Sequence, residues 1–446
     1  MVHNNYFISK NAGKAICGAT AIFLFMALFL FPVRASESKT TNHRVLWEHT
    51  DLFRTKPNTV LRPEIIEHNG LVFANYGNVL NVYQRSNGKK LFAYAPYVRS
   101  DPYFILNIEI HEGFLYALII DSKAIRDDEY VNARPYLFKL NIQSLDFEWK
   151  KPTQCLTMSR YFFVQGDTIY LFNFTSNLTC CFDCYNVETG GYNGVNSSIE
   201  IPICITDDGV VLASQPKYNQ ELNEVWVYYF RSATEENPHS GLEIQRLDLE
   251  KGYLLDPILI PMEPSFDIHM EMFRFFPMLQ RKNLLFAEYY DYSKKQYVIM
   301  KINTFTKRID WVYENQKEVS EILSNPEDKC TLYLREGRNA YRKINHLTTD
   351  TLEHWEVNEV EEEDRSHSQS SCMDHIIATR FVHSVVVFDT NSGEVVWMKE
   401  SDTPTQFKNV AFIDFTPPII EKTGENTYQI LYALDDQIGL VEITLQ

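Results

Sequence analysis

The chain has 446 residues, 45% of them hydrophobic and 14% aromatic, and a formal net charge of −17. That supplies a large core weighted towards residues that favour strands over helices. The acidity argues against nucleic acid as a partner, because a phosphate backbone is bound by clustered cations.

Residues 1–35 stand apart. Lys10 and Lys14 precede an apolar run, Ala15–Phe31, and Val33-Arg34-Ala35 then forms a small-residue cleavage pattern before Ser36. The segment reads as a secretory signal peptide, with an uncleaved N-terminal membrane anchor as the alternative. Residues 36–43 then serve as a linker and 44–446 as the folded domain. Cleavage removes Lys10, Lys14 and Arg34 and no acid, so the mature chain carries three positive charges fewer than −17, about −20. Export implies a periplasmic or secreted protein, and it permits disulfides. Cys155, Cys180, Cys181, Cys184 and Cys204 crowd into one region, where any bridge is expected. The sequons at Asn173, Asn177 and Asn196 matter only in a eukaryotic source.

Next comes Arg44–His49, a strand with no partner before it. It matches the second half of a hairpin that then recurs along the chain. Each copy has a β-rich strand, a polar turn opened by an Asn, Asp or similar residue, and a second strand. The turn-opening residues are Gln84, Asn141, Asn186, Asp248, Asn303, Asn345, Asp389 and Glu442. Their spacing, about fifty residues, is that of a four-stranded propeller blade carrying loop insertions. Upstream of most hairpins sits another strand: Leu71–Ala74, Phe114–Ala117, Thr168–Leu171, Val210–Ala213, Leu284–Ala287, Thr331–Leu334 and Ile430–Ala433. The eighth copy lacks an outgoing strand, and residues 44–49 are an outgoing strand without a hairpin. Joining them closes a ring and removes an exposed sheet edge. The expected fold is therefore all-β: an eight-bladed β-propeller of four-stranded blades. Trp47, Trp149, Trp311, Trp355 and Trp397 occupy the same place in their outgoing strands, suited to packing on the neighbouring blade.

The best-preserved copy is Asp389-Thr390-Asn391-Ser392-Gly393-Glu394-Val395-Val396-Trp397. It resembles the repeat of the quinoprotein (PQQ)-like propellers, Asp-x-x-Thr-Gly-x-x-x-Trp, with Ser392 where that pattern has Thr. The resemblance spans residues 44–446 as architecture and gives Asp389, Gly393 and Trp397 blade-building roles. It has two functional branches. In the quinoprotein alcohol dehydrogenases, adjacent cysteines form a disulfide over the quinone. Cys180 and Cys181 are the candidate pair here, which would imply PQQ and calcium as cofactors. The other branch holds no cofactor and resembles the propeller that helps to assemble outer-membrane β-barrels.

No calcium ligand set or catalytic Asp can be placed beside Cys180-Cys181. The sequence also lacks His-Glu-x-x-His, a nucleophile elbow and a phosphate-binding loop. The expectation is a monomeric, non-catalytic interaction or assembly scaffold without a cofactor, meeting a protein partner through inter-blade loops. Its rival is a PQQ- and calcium-dependent oxidoreductase, or another enzyme, with a site in the propeller funnel. The insertions at 232–240 and 359–371 read as solvated loops, the second of them strongly acidic.

Overall fold

A computed structural model describes residues 41–445. It leaves out 51–63, 78, 99–100, 122–134, 155–161, 175–179, 200–204, 207–208, 211–216, 220–221, 232–240, 252, 262–273, 278–283, 292–293, 329, 338–339, 349, 357–367, 402–415 and 435–436. The signal-peptide reading, residues 1–35, and nearly all of the 36–43 linker lie outside the described residues. His43–Thr444 form one compact unit.

That unit is an eight-bladed β-propeller, each blade an antiparallel four-stranded sheet. The strands of a blade are called A to D from the inside outwards. Blade 1 is Glu64–His68, Leu71–Asn75, Leu80–Gln84 and Lys90–Tyr94. Blade 2 is Asp101–His111, Phe114–Asp121, Tyr136–Asn141 and Phe147–Pro152, with the short strand Tyr97–Val98 added beside its A strand. Blade 3 is Phe162–Gln165, Thr168–Phe174, Cys180–Asn186 and Tyr192–Ile199; blade 4 is Lys217–Asn219, Glu224–Arg231, Gly241–Asp248 and Tyr253–Pro261. Blade 5 is Arg274–Pro277, Leu284–Asp291, Gln296–Asn303 and Arg308–Asn315; blade 6 is Val319–Ser324, Thr331–Glu336, Ala340–Asn345 and Thr351–Glu356. Blade 7 is Gln369–Met373, Ile376–Arg380, Ser384–Asp389 and Glu394–Glu400. Blade 8 takes Ile419–Lys422, Thr427–Ala433 and Ile438–Thr444 from the end of the chain, and Asn42–His49 from its beginning as strand D.

The B and C strands read as short unbroken apolar runs because a blade is covered on both faces by its neighbours. Val72, Phe73, Ala74, Leu80, Val82 and Tyr83 in blade 1 are all buried. The core therefore lies between blades. One cluster joins Trp47, Leu431 and Leu440 of blade 8 to Ile65, Val72 and Tyr83 of blade 1. Another joins Phe73 and Val82 of blade 1 to Ile108, Leu115 and Phe138 of blade 2. The D strands, covered on one face only, alternate instead, as in Arg308–Asn315.

The sequence reading differs from the structure in blade 4. Val210 belongs to a separate two-stranded ribbon with Ile205–Thr206, and 211–213 lie outside the described residues. Strand B of that blade is Glu224–Arg231, which pairs along its whole length with Gly241–Asp248. Both stretches are β-rich, and the run nearer the Asp207-Asp208-Gly209 turn satisfied the local pattern while lying too far upstream of the hairpin.

Candidate functional site

The C–D hairpins set the geometry of the ring. In blade 7 the Asp389 carboxylate is buried and accepts hydrogen bonds from the Asn391 amide at 2.9 Å and the Ser392 hydroxyl at 3.3 Å. The Gly393 amide donates to the Asp389 carbonyl at 2.7 Å, which requires φ of +73° at Gly393. The same turn is built at Asn141, where Oδ1 accepts from Gln143 and Ser144, and at Asn303, where it accepts from Phe305 and Thr306. Where blade 7 has Gly393, those turns have Leu145 at φ +60° and Lys307 at φ +55°. A side chain in that region costs about 1–2 kcal/mol. Lys307 is exposed, so Lys307→Gly is expected to stabilise the chain by about 1 kcal/mol in urea unfolding, less what the freer unfolded chain returns.

In blades 2, 5 and 7 strand D carries a bulge just before its tryptophan, whereas in blade 6 Glu353 takes that position and Trp355 stands two residues further on, opposite Tyr341, not in the shared place expected from the sequence. Lys139 pairs with Trp149 and Leu140 with Phe147; Lys301 pairs with Trp311 and Ile302 with Ile309; Val387 pairs with Trp397 and Phe388 with Val395. The extra residue bends the strand and the indole reaches the next blade's C–D turn. Trp149 Nε1 donates to the Val187 carbonyl at 3.1 Å, and Trp311 Nε1 to the His346 carbonyl at 2.7 Å. Trp47, in the last blade, donates to the Arg85 carbonyl of the first at 2.6 Å. A Cβ placed on Gly88 would lie 2.7 Å from the Trp47 ring, one on Gly190 2.8 Å from Trp149, and one on Gly393 3.2 Å from Trp355. Trp397 meets Tyr432 of blade 8 at a centroid distance of 5.2 Å. Blade 1 has no tryptophan in this role; Tyr94 packs edge-on to Phe147 of blade 2 instead, at 4.7 Å.

Nearer the axis is a second set of joints that sequence reasoning missed. Glu64, on strand A of blade 1, accepts the Ile108 amide of blade 2 at 3.1 Å. Glu109 of blade 2 accepts the Val164 amide of blade 3 at 3.0 Å, and Glu321 of blade 6 accepts the Ser370 amide of blade 7 at 2.9 Å. Each carboxylate satisfies a backbone donor on the strand A of the following blade. Burial pushes Glu109 up to about 7 against the lowering effect of that hydrogen bond, and it raises Glu321 against the pull of Arg335.

Charge also spans the ring where the two ends of the chain meet. The Arg85 guanidinium lies 2.8 Å from Glu67 of its own blade and in contact with Glu421 of blade 8, and it donates to Gln429 Oε1 at 2.9 Å. Glu48 accepts from Tyr432 at 2.6 Å and from Lys399 of blade 7 at 3.3 Å. Between blades 7 and 8, Asp374 accepts from Lys422 and Tyr428 at 2.8 Å each and lies 3.1 Å from His375 Nδ1. Burial works to raise Asp374, but those hydrogen bonds outweigh it and hold the carboxyl at about 2.

Cys180 and Cys181 are the first two residues of strand C in blade 3, opposite Phe174 and Asn173; their side chains lie outside those described. Among the described residues no three His, Cys, Asp or Glu side chains gather as metal donors.

No protein-family model matches the sequence, and no curated protein matches it. Solved structures do. The chain is similar to quinohemoprotein alcohol dehydrogenase from Comamonas testosteroni, with a TM-score of 0.54 at 10% identity, covering 93% of this chain and 78% of that one. It is similar to quinohemoprotein alcohol dehydrogenase ADHIIG from Pseudomonas putida HK5, with a TM-score of 0.51 at 10% identity over 92% and 77% of the two chains. BamB from Moraxella catarrhalis aligns over 86% of this chain and 100% of its own, at 12% identity and a TM-score of 0.49. At these identities the likeness concerns the fold. The chain has the architecture of the quinoprotein-like β-propellers.

Proposed function

We propose that the chain is an exported, monomeric, non-catalytic β-propeller that acts as an interaction or assembly scaffold and meets its protein partner with the connections at one end of the ring. The observation that carries this reading is the inequality of the two ends. The A–B and C–D turns all fall at one end, and most are tight: His68 to Leu71, His111 to Phe114, Gln165 to Thr168, Met373 to Ile376. The B–C and D–A connections fall at the other end. Several are long, as between Asp121 and Tyr136, Pro261 and Arg274, Glu356 and Gln369, or Glu400 and Ile419. Long connections on a rigid frame are where binding residues collect. The acidic run 359–364 lies in one of them. BamB, a propeller of similar extent, stands as the analogy for the exported scaffold, and the alcohol dehydrogenases as the analogy for the rival.

The test uses the full chain. Replacing 358–367 by a Gly-Ser linker is expected to leave the far-ultraviolet circular dichroism and the unfolding midpoint unchanged while abolishing co-purification of the partner from the source cells. After incubation with PQQ and calcium and removal of unbound PQQ, the protein is expected to retain no quinone absorbance and to give no alcohol-dependent dye reduction. Dye reduction would overturn the scaffold reading. N-terminal sequencing of the protein from its source is expected to begin at Ser36; an intact Met1 would replace cleavage by anchoring.

A further inference from the structure

The C–D turns provide an internal comparison, because each presents a residue two positions after its opening Asn, Asp or Gln. In five blades that residue is polar: Ser86, Gln143, Glu188, Glu250 and Asn391. In blades 5 and 6 it is Phe305, 80% exposed, and Leu347, 62% exposed. These are the two most exposed large hydrophobic side chains among the described residues. The D strands that follow add Leu352 at 48% and Val312 at 49%, though Val312 pairs with Met300, which packs on blade 4, and so lies on the face turned away from blade 6. Blades 1, 2, 3, 4 and 8 each carry one such residue, which is ordinary for a surface. Two adjacent blades carry two each. They are also joined here, since the Trp311 indole of blade 5 donates to the carbonyl of His346, immediately before Leu347.

The charges around these residues are unequal. Asp310 lies 3.9 Å from Lys301, Glu314 2.5 Å from Lys294 and Glu353 3.8 Å from Lys343, while Asp350 accepts from the Thr348 hydroxyl. Lys307 and Arg308 follow Phe305 by two and three residues, are exposed, and have no carboxylate within ion-pair distance among the described residues. The neighbouring edges are open as well, because Arg308–Asn315 and Thr351–Glu356 are each paired on one side only. Two exposed apolar turns with two unmatched cations beside unpaired strand edges suit an extended chain of opposite charge.

We propose that the outer rim of blades 5 and 6, at the exposed turn residues Phe305 and Leu347, docks an extended acidic segment of a partner protein, with its apolar side chains on those two turns and its carboxylates on Lys307 and Arg308. This goes beyond the loop-end reading, because the C–D turns lie at the opposite end of the ring, and the two surfaces are tested separately.

The probe is a fluorescein-labelled peptide alternating Glu with Leu and Phe, titrated with the full chain and followed by anisotropy. A peptide with Lys for each Glu is the control. The acidic peptide is expected to bind and the basic one not to, with affinity falling as salt is raised. Phe305→Ser/Leu347→Thr is expected to weaken binding at least tenfold. Lys307→Glu/Arg308→Glu is expected to weaken it as much and to transfer preference to the basic peptide. All four side chains are exposed, so these variants should keep the parent unfolding midpoint, and the variant with 358–367 replaced should bind the peptide like the parent. Absence of binding by the parent chain, or equal binding by the variants, would overturn the proposal. So would self-association at the same concentrations that Phe305→Ser/Leu347→Thr removes, since the occupant would then be a second copy of the chain.

Discussion

Gly88→Ala is expected to destabilise the ring several times more than Gly70→Ala, although both glycines have nearly the same backbone conformation. Their φ values are +70° and +74°, so each substitution meets the left-handed penalty of about 1 kcal/mol. Around Gly70 nothing lies within 4 Å of an added Cβ, and the penalty ends there. At Gly88 the Cβ would sit 2.7 Å from the Trp47 ring and 2.9 Å from its Cβ. The indole is held from three sides: by its hydrogen bond to the Arg85 carbonyl, by stacking on Tyr83 at 6.1 Å, and by the closing cluster of blades 8 and 1. Relief requires strand 42–49 to move away, and that strand is the sole D strand of blade 8. Removing the indole by Trp47→Ala is expected to cost about 3–5 kcal/mol. The double substitution should be clearly less destabilising than the sum of the two, because the space vacated by the ring accepts the new methyl group. Urea unfolding of the four proteins measures this, and hydrogen exchange should show blade 8 opening first in both Gly88→Ala and Trp47→Ala. Strict additivity would mean that the contact does not close the ring.

These residues were legible in the sequence because their interactions are local or repeated. The Asp389 carboxylate bonds to groups two and three residues on, and Gly393 to a carbonyl four residues back, so one hairpin contains its own explanation. Repetition then turned a single turn into a blade and a blade into a ring. The bulge before Trp149, Trp311 and Trp397 left no such trace, since it shows only in the pairing with strand C. The glutamates on the A strands left less still. Glu64, Glu109 and Glu321 serve amides 44, 55 and 49 residues away, in the next blade, and no local pattern marks an acid so employed. The usable signal was a glutamate in an otherwise apolar strand near the axis, as in Ile108-Glu109-Ile110, where a buried charge needs a partner. The face of blades 5 and 6 was equally hidden. Phe305 and Leu347 look like strand residues until the turns are superposed and the other blades prove polar at that position.

Glu109 gives the second large effect, and it depends on pH. Its carboxyl titrates near 7 in the folded chain because burial outweighs the hydrogen bond from the Val164 amide, whereas an unfolded glutamate titrates near 4.5. Between those values the folded protein holds the proton and the unfolded chain has lost it, so stability falls as pH rises from about 4.5 to about 7 and levels off above. The full shift corresponds to at most about 3 kcal/mol, reduced by whatever solvent the half-buried carboxylate retains. Glu109→Gln keeps an oxygen for the Val164 amide and cannot ionise. It is expected to match the parent near pH 4.5 and to exceed it near pH 8. Glu109→Ala leaves that amide without its acceptor and should be weaker than Glu109→Gln at every pH, by about 1–3 kcal/mol. Urea midpoints of the three proteins from pH 4.5 to pH 8.5 give the comparison. A parent curve parallel to that of Glu109→Gln would show that the carboxylate is solvated and that the joint between blades 2 and 3 carries no buried charge. Curves that diverge with rising pH would place the ionisation of Glu109 inside that joint.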